Sequence, residues 1–272
     1  MTSDKGKRTP VGMRVVSRQD WGEDLGLVQG GVWQEMVGPS LGAKCRSLYN
    51  LEFGPDSTTN ALAHTGEAVY YMNSGTVTVT EHLVYDDISH DLGEGAMLHV
   101  KPGTSYTLSS TTGARVVGGP SPVDPSLGVR TPDRHSTRGI TLRHRDIAGM
   151  KVPFISRDAR LVVWLGDGAI TANMNYVVLE PGERNREHVH AYSEDTIHIL
   201  EGHATAENVT TGEKFLVGPG DTIHIEIGFW HAVAADQGER VVSVGGPCPA
   251  DLDMLRAAGA DVEALAPGLT LP

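Results

Sequence analysis

The 272-residue chain is written twice. GMRVVSRQD from Gly12 resembles GITLRHRDI from Gly139, and EAVYYMNSG from Glu67 lines up with EDTIHILEG from Glu194. GEGAMLHVKPGTSY from Gly93 lines up with GPGDTIHIEIGFWH from Gly218, and VGGPSPVD from Val117 with VGGPCPAD from Val244. The matches keep their order at nearly constant offset, as a repeated structural unit requires. The joint is expected in the Pro/Arg/Ser-rich stretch GVRTPDRHSTRG, which divides the chain into units of 1–128 and 129–272.

Within each unit apolar residues alternate. In TIHILEG, Ile197 and Ile199 share one face while Thr196 and His198 take the other, and Ile223, Ile225 and Ile227 repeat the pattern. With 33 glycines and 15 prolines punctuating such runs, the pattern predicts an all-β sandwich or barrel of many short strands. A single short helix is predicted at the C-terminal end, in DLDMLRAAGADVEALAPG. Asp251 caps it, Leu252, Leu255, Val262 and Leu265 form its apolar face, and Pro267 stops it.

Composition narrows the function classes. A net charge of −12 argues against nucleic-acid or anionic-membrane partners, and no apolar run reaches the length of a membrane span. The opening MTSDKGKRTPVG has basic residues but no apolar run behind them, so no signal peptide is read there. Cys45 and Cys248 are the only cysteines, which is no disulfide framework, and a cytoplasmic location is expected. GxSxG elbows, phosphate-binding loops and dinucleotide glycine fingerprints are absent. Cys248 lies in a Gly-Pro-rich turn with Ser121 as its repeat partner, so it is not read as a nucleophile.

The stretch REHVHAYSED carries the chemistry. His188 and His190, at i and i+2 of a predicted strand, project from one face as a single metal ion requires. His231 follows a turn at Gly228, where its side chain can point back into a barrel mouth. Asp195 lies on the same side of its strand as Ile197 and Ile199, which makes it the better inward carboxylate, with Glu194 as the alternative. The set suits one divalent transition metal per chain, Fe(II), Mn(II), Ni(II), Zn(II) or Cu(II). His198 and His224, on the opposite strand faces, are read as packing or interface residues, and His203 as solvated.

These motifs resemble those of the cupins and, because there are two copies, of the bicupins. Gly182, His188, His190 and Gly202 fall in the places of the first cupin motif, with Asp195 where the family has glutamate. Gly220, Gly228 and His231 match the second motif, with Glu226 and Ala235 replacing its proline and asparagine. The resemblance implies two tandem double-stranded β-helix (jelly-roll) barrels with a short C-terminal helix, and His188, His190, Asp195 and His231 as metal-binding and catalytic residues. Aspartate is one methylene shorter than glutamate, so direct ligation, ligation through water and orientation of a histidine all stay open for Asp195. In the first unit, Ala61, Ala63, Ala68 and Tyr106 stand at the constant offset from His188, His190, Asp195 and His231, with His64 one residue out of register and Tyr70 and Met72 facing inward. That barrel is read as a scaffold with a degenerate metal site.

The expected function is that of a dioxygenase-type oxidoreductase acting on a small polar organic molecule, with Phe229 and Trp230 bordering the pocket mouth. The alternatives are a non-redox lyase, isomerase or aminohydrolase, or a non-enzymatic ligand-binding protein. A homodimer or higher homo-oligomer is expected, as is common among bicupins.

Overall fold

The computed structural model describes residues 12–124, 134–147 and 149–269. The expected joint at 128/129 lies outside them. The all-β expectation holds: strands build a nine-stranded, a seven-stranded and a three-stranded sheet. Among the described residues no helix is long and apolar enough to cross a membrane.

Each half curls around its own apolar interior. Leu51, Tyr70, Met72 and Leu108 lie in the first interior, and Met13, Ile199, Ile223 and Ile225 in the second. The opposite faces of the same strands meet between the halves. Val69, Tyr71 and Met97 pack there against Val163, Met174, Tyr176 and Val244. Alternation at period two thus serves two cores at once, one inside each barrel and one between them.

The halves also exchange strands. Met13–Val16 pairs antiparallel with Thr222–Ile225 of the second half, in the register Met13↔Ile225. Ile140–His144 pairs with Ala96–Val100 of the first half, in the register Ile140↔Val100. These are the two repeat partners that open each copy, so each unit gives its first strand to the other's sheet. Contiguous units divided at the joint therefore do not coincide with the sheets.

A second reciprocal device fixes the interface. The Glu67 carboxylate accepts hydrogen bonds from the backbone N–H of Ile170, Thr171 and Ala172 across the interface. Its repeat partner Glu194 accepts from the N–H of Lys44 and Cys45 in the other direction. His99 lies 3.7 Å from Glu67, and its counterpart His224 lies 3.8 Å from Glu194. His224 and His198 are thus buried packing residues, as expected, while the side chain of His203 is 53% exposed and paired with Glu239.

The predicted terminal helix is two, Leu252–Ala257 and Val262–Leu265, capped by Asp251 and Asp261. Gly259, at φ +92°, turns the chain between them in a conformation that a side chain would strain.

Candidate metal centre

His188, His190, Asp195 and His231 come together in the second barrel, one ligand atom from each lying within 4.8 Å of all the others. Asp195 opens the strand Asp195–Glu201 and His231 opens His231–Ala234. His188 and His190 lie in an extended segment outside any regular strand, tied down by an isolated bridge between His188 and His231. Their common orientation comes from that bridge and from the Gly228 N–H, which donates to the His190 carbonyl.

The three imidazoles are held by the ring nitrogen that faces away from the cluster. His188 Nδ1 is 2.8 Å from the Arg186 carbonyl, His231 Nδ1 is 3.0 Å from the Phe229 carbonyl, and His190 Nδ1 is 2.6 Å from Asp251 Oδ2. Nδ1 bonds of this kind select the tautomer whose Nε2 lone pair is free for a metal. Asp195 Oδ2 lies 3.5 Å from His190 Nε2 and 3.3 Å from His231 Nε2. Donors about 2.1 Å from a shared ion sit roughly 3–3.5 Å apart, so the spacing fits a coordination shell.

The unmet polar atoms point the same way. His190 Nε2, His231 Nε2 and Asp195 Oδ1 are buried without a hydrogen-bond partner. Each such atom costs about 1–3 kcal/mol, and one ion coordinated by all three would satisfy them together. Burial works against a charge on His190, but the carboxylates of Asp195 and Asp251 outweigh it and push its pKa up to about 9. For His188, burial and then the neighbouring His231 and His190 lower the pKa to about 3. Burial raises Asp195, yet His190 and His231 more than compensate and hold it far below the ordinary carboxylate range. Three imidazoles and a buried carboxylate make up the donor set of a divalent transition metal.

Glu194 does not join the cluster, because adjacent residues on a strand face opposite ways and its carboxylate is engaged at the barrel interface. Asp251, expected only as a helix cap, has two tasks. Its Oδ1 accepts from Met254 N–H at the helix start while Oδ2 holds His190. Its repeat partner Asp124 was the available signal. Asp251→Asn is expected to lower metal affinity about 10–100-fold, measured by competition with a chromogenic chelator.

Trp230, 47% exposed, borders a surface groove that reaches His188, as expected. Phe229 does not; it packs into the second barrel's interior and covers Gly12, where an added Cβ would lie 2.1 Å from its ring.

In the first barrel the register differs by one residue from the constant offset. Leu62 bridges Tyr106 as His188 bridges His231, and the Gly103 N–H donates to the His64 carbonyl as that of Gly228 does to His190. Leu62 and His64, rather than Ala61 and Ala63, therefore occupy the places of His188 and His190. His64 Nδ1 lies 3.3 Å from Asp124, repeating the His190–Asp251 pair. Its Nε2 lies 3.0 Å from the Tyr106 hydroxyl, which is 2.8 Å from that of Tyr70. Phenols fill the space in which the second barrel gathers His188, His190, Asp195 and His231.

Fold and site together define a bicupin architecture with one His₃Asp cluster among the described residues. Residues 175–244 match the family model described as the cupin domain. No curated protein matches the sequence. Among solved structures, the Lactobacillus farciminis oxalate decarboxylase formate complex superposes with a TM-score of 0.67 at 14% identity, covering 94% of this chain and 96% of that one. A single-site variant of the Bacillus subtilis oxalate decarboxylase gives 0.66 at 16% identity, covering 87% and 77%. The same Bacillus subtilis enzyme, in work on its Mn(II) centres, gives 0.65 at 16% identity over the same shares. At these identities the likeness establishes the fold.

Proposed function

We propose that this protein is a metal-dependent enzyme that holds one divalent transition metal through His188, His190, Asp195 and His231 and uses it with dioxygen to transform a small organic molecule. The observation that carries this reading is the convergence of three Nδ1-anchored imidazoles and a buried carboxylate, of which His188, His190 and Asp195 line a barrel cavity of ≈ 60 Å³. Held by these four residues, a bound ion would supply Lewis-acid and redox chemistry to a chelating substrate. The chain supplies the rest. The cavity walls are mainly apolar, including Val152, Leu161, Val177, Ile197 and Met254, and they keep bulk water from the reacting groups. The first barrel, with Leu62, Ala68 and Tyr106 in place of ligands, acts as scaffold.

The cavity lining favours the oxygenase over proton-transfer chemistry. Among the described residues lining the cavity, the titratable groups are metal-cluster members and Arg160, whose guanidinium is engaged by Asp158. Isomerisation or hydrolysis needs a group to move a proton at the reacting atom. A second reading, a non-redox lyase, draws support from the oxalate decarboxylases among the similar structures.

Elemental analysis of untagged protein is expected to give about one metal per chain, as one ligand cluster supports one tight site. Oxygen-electrode screening against small organic acids and enols then identifies a substrate whose turnover stops under strict anaerobiosis and returns on admitting air. Undiminished anaerobic turnover, equally supported by Zn(II), would replace the oxygenase with the lyase reading.

A further inference from the structure

The two barrels share one backbone plan, so their inner faces can be compared position by position. Tyr49 lies opposite Gly118 and Leu51 opposite Val116 in the first barrel. In the second, Asn175 lies opposite Gly245 and Val177 opposite Ser243. Asn175 thus stands where the first barrel has Tyr49, and Ser243 where it has Val116. Likewise Ile197, opposite Gly245, stands where Tyr70 faces Gly118. The first barrel closes its interior with aromatic rings, whereas the second leaves a cavity and places the neutral polar Asn175 and Ser243 at these wall positions, beside Asn185 and Thr196.

The Asn175 amide is not satisfied by the fold. Asn175 Oδ1 is buried without a hydrogen-bond partner. Its amide occupies room that only glycine leaves at position 246, where an added Cβ would come within 2.6 Å of Nδ2. Ser243 is buried and lines the same cavity. Both share the inner face with Asp195, Ser243 on the neighbouring strand and Asn175 one strand further, which places them on the order of 10 Å from the ligand cluster.

Resting on the metal-enzyme reading above, we infer that Asn175 and Ser243 form the far end of the substrate site and select a small molecule with an apolar body ending in a neutral hydroxyl or carbonyl. The rest of the cavity wall is mainly apolar, with the Asn185 Oδ1 taken by the Val233 N–H, which suits the body of such a molecule. Its other end chelates the ion. A second carboxylate is disfavoured there, because the cavity's arginine has its guanidinium held at 2.6 Å by both oxygens of Asp158 and at 2.9 Å by the Arg145 carbonyl. A carboxylate entering an apolar cavity without a cation loses its hydration uncompensated.

The test uses the full chain loaded with Co(II), whose visible bands report chelation independently of turnover. Three probes share a chelating 2-oxo acid end and a five-carbon chain: 2-oxopentanoate, 5-hydroxy-2-oxopentanoate and 2-oxoglutarate. The hydroxyl-ended probe is expected to bind about 3–10-fold more tightly than the methyl-ended one, the range of one or two neutral hydrogen bonds, with the dicarboxylate weakest. Asn175→Leu and Ser243→Val should each draw the hydroxyl-to-methyl ratio toward one. If Asn175→Leu loses the Co(II) bands, Ser243→Val decides, since it installs the residue that the first barrel carries at that place. Tightest binding by the dicarboxylate, or a ratio unchanged in a variant that keeps its bands, overturns the inference and leaves the metal site standing. Absence of Co(II) bands in the native chain removes the metal reading, and this one with it.

Discussion

Protein in which His188 and His190 are both alanine is expected to hold less than about a tenth of an equivalent of metal, where the native chain holds about one. The two residues supply half of the cluster, and what remains, His231 and Asp195, is one imidazole and one carboxylate. Losing a group that merely orients a ligand costs about 10–100-fold in affinity, so losing two ligands should exceed about 10⁴-fold. The barrel should survive, because the segment lies outside the regular strands and its bridge to His231 uses backbone atoms that alanine retains. Elemental analysis beside a melting curve of the metal-free proteins separates the two effects. Metal retained at one equivalent, with the fold intact, would place the ion elsewhere.

His231→Ala should likewise weaken binding more than Asp195→Ala. Three anchored imidazoles can hold an ion with water in the carboxylate's place, and each ring is fixed by its own Nδ1 contact.

Much of this architecture was legible because period-two alternation marks which side of a strand faces a core. It put Ile197, Ile199 and Asp195 on one face and His198 on the other, and the duplication announced two barrels. Alternation does not say which sheet a strand joins. The exchange of Met13–Val16 and Ile140–His144 was therefore invisible, although the repeat itself flagged both segments. A constant offset cannot register a one-residue change in a connecting segment, which is why Ala61 and Ala63 stood in for Leu62 and His64. The same limit applies to side chains with two tasks. Asp251 reads as a helix cap from its neighbours alone, and its bond to His190 depends on a contact spanning 61 residues.

Glu67→Ala is expected to destabilise the protein by about 3–5 kcal/mol, lowering the melting temperature by about 10 °C at neutral pH. The carboxylate is 5% exposed and is the acceptor for three consecutive backbone N–H groups and for the Thr171 hydroxyl, all from the opposite half. Alanine leaves these donors buried without partners, each costing about 1–3 kcal/mol before local relaxation. Glu67→Gln, which keeps one oxygen acceptor, should fall between. The pH dependence gives an independent check. Burial alone would raise the Glu67 pKa, but His99 beside it and the N–H groups of Ile170 and Thr171 prevail and lower it from 4.5 to about 2. A folded-state pKa below the unfolded one means that the native chain binds fewer protons between those values. The resulting stability, about 3 kcal/mol, is fully present above the unfolded value and drains away as pH falls through the folded one. Glu194 is lowered in the same direction by His224 and the N–H groups of Cys45 and Lys44, again against burial, so it adds to the loss with the same sign. The difference in melting temperature between native protein and Glu67→Ala should therefore be widest at neutral pH and narrow as the medium is acidified below about 4. A gap under about 2 °C at neutral pH, or one that widens on acidification, would mean that the carboxylate does not join the barrels in solution.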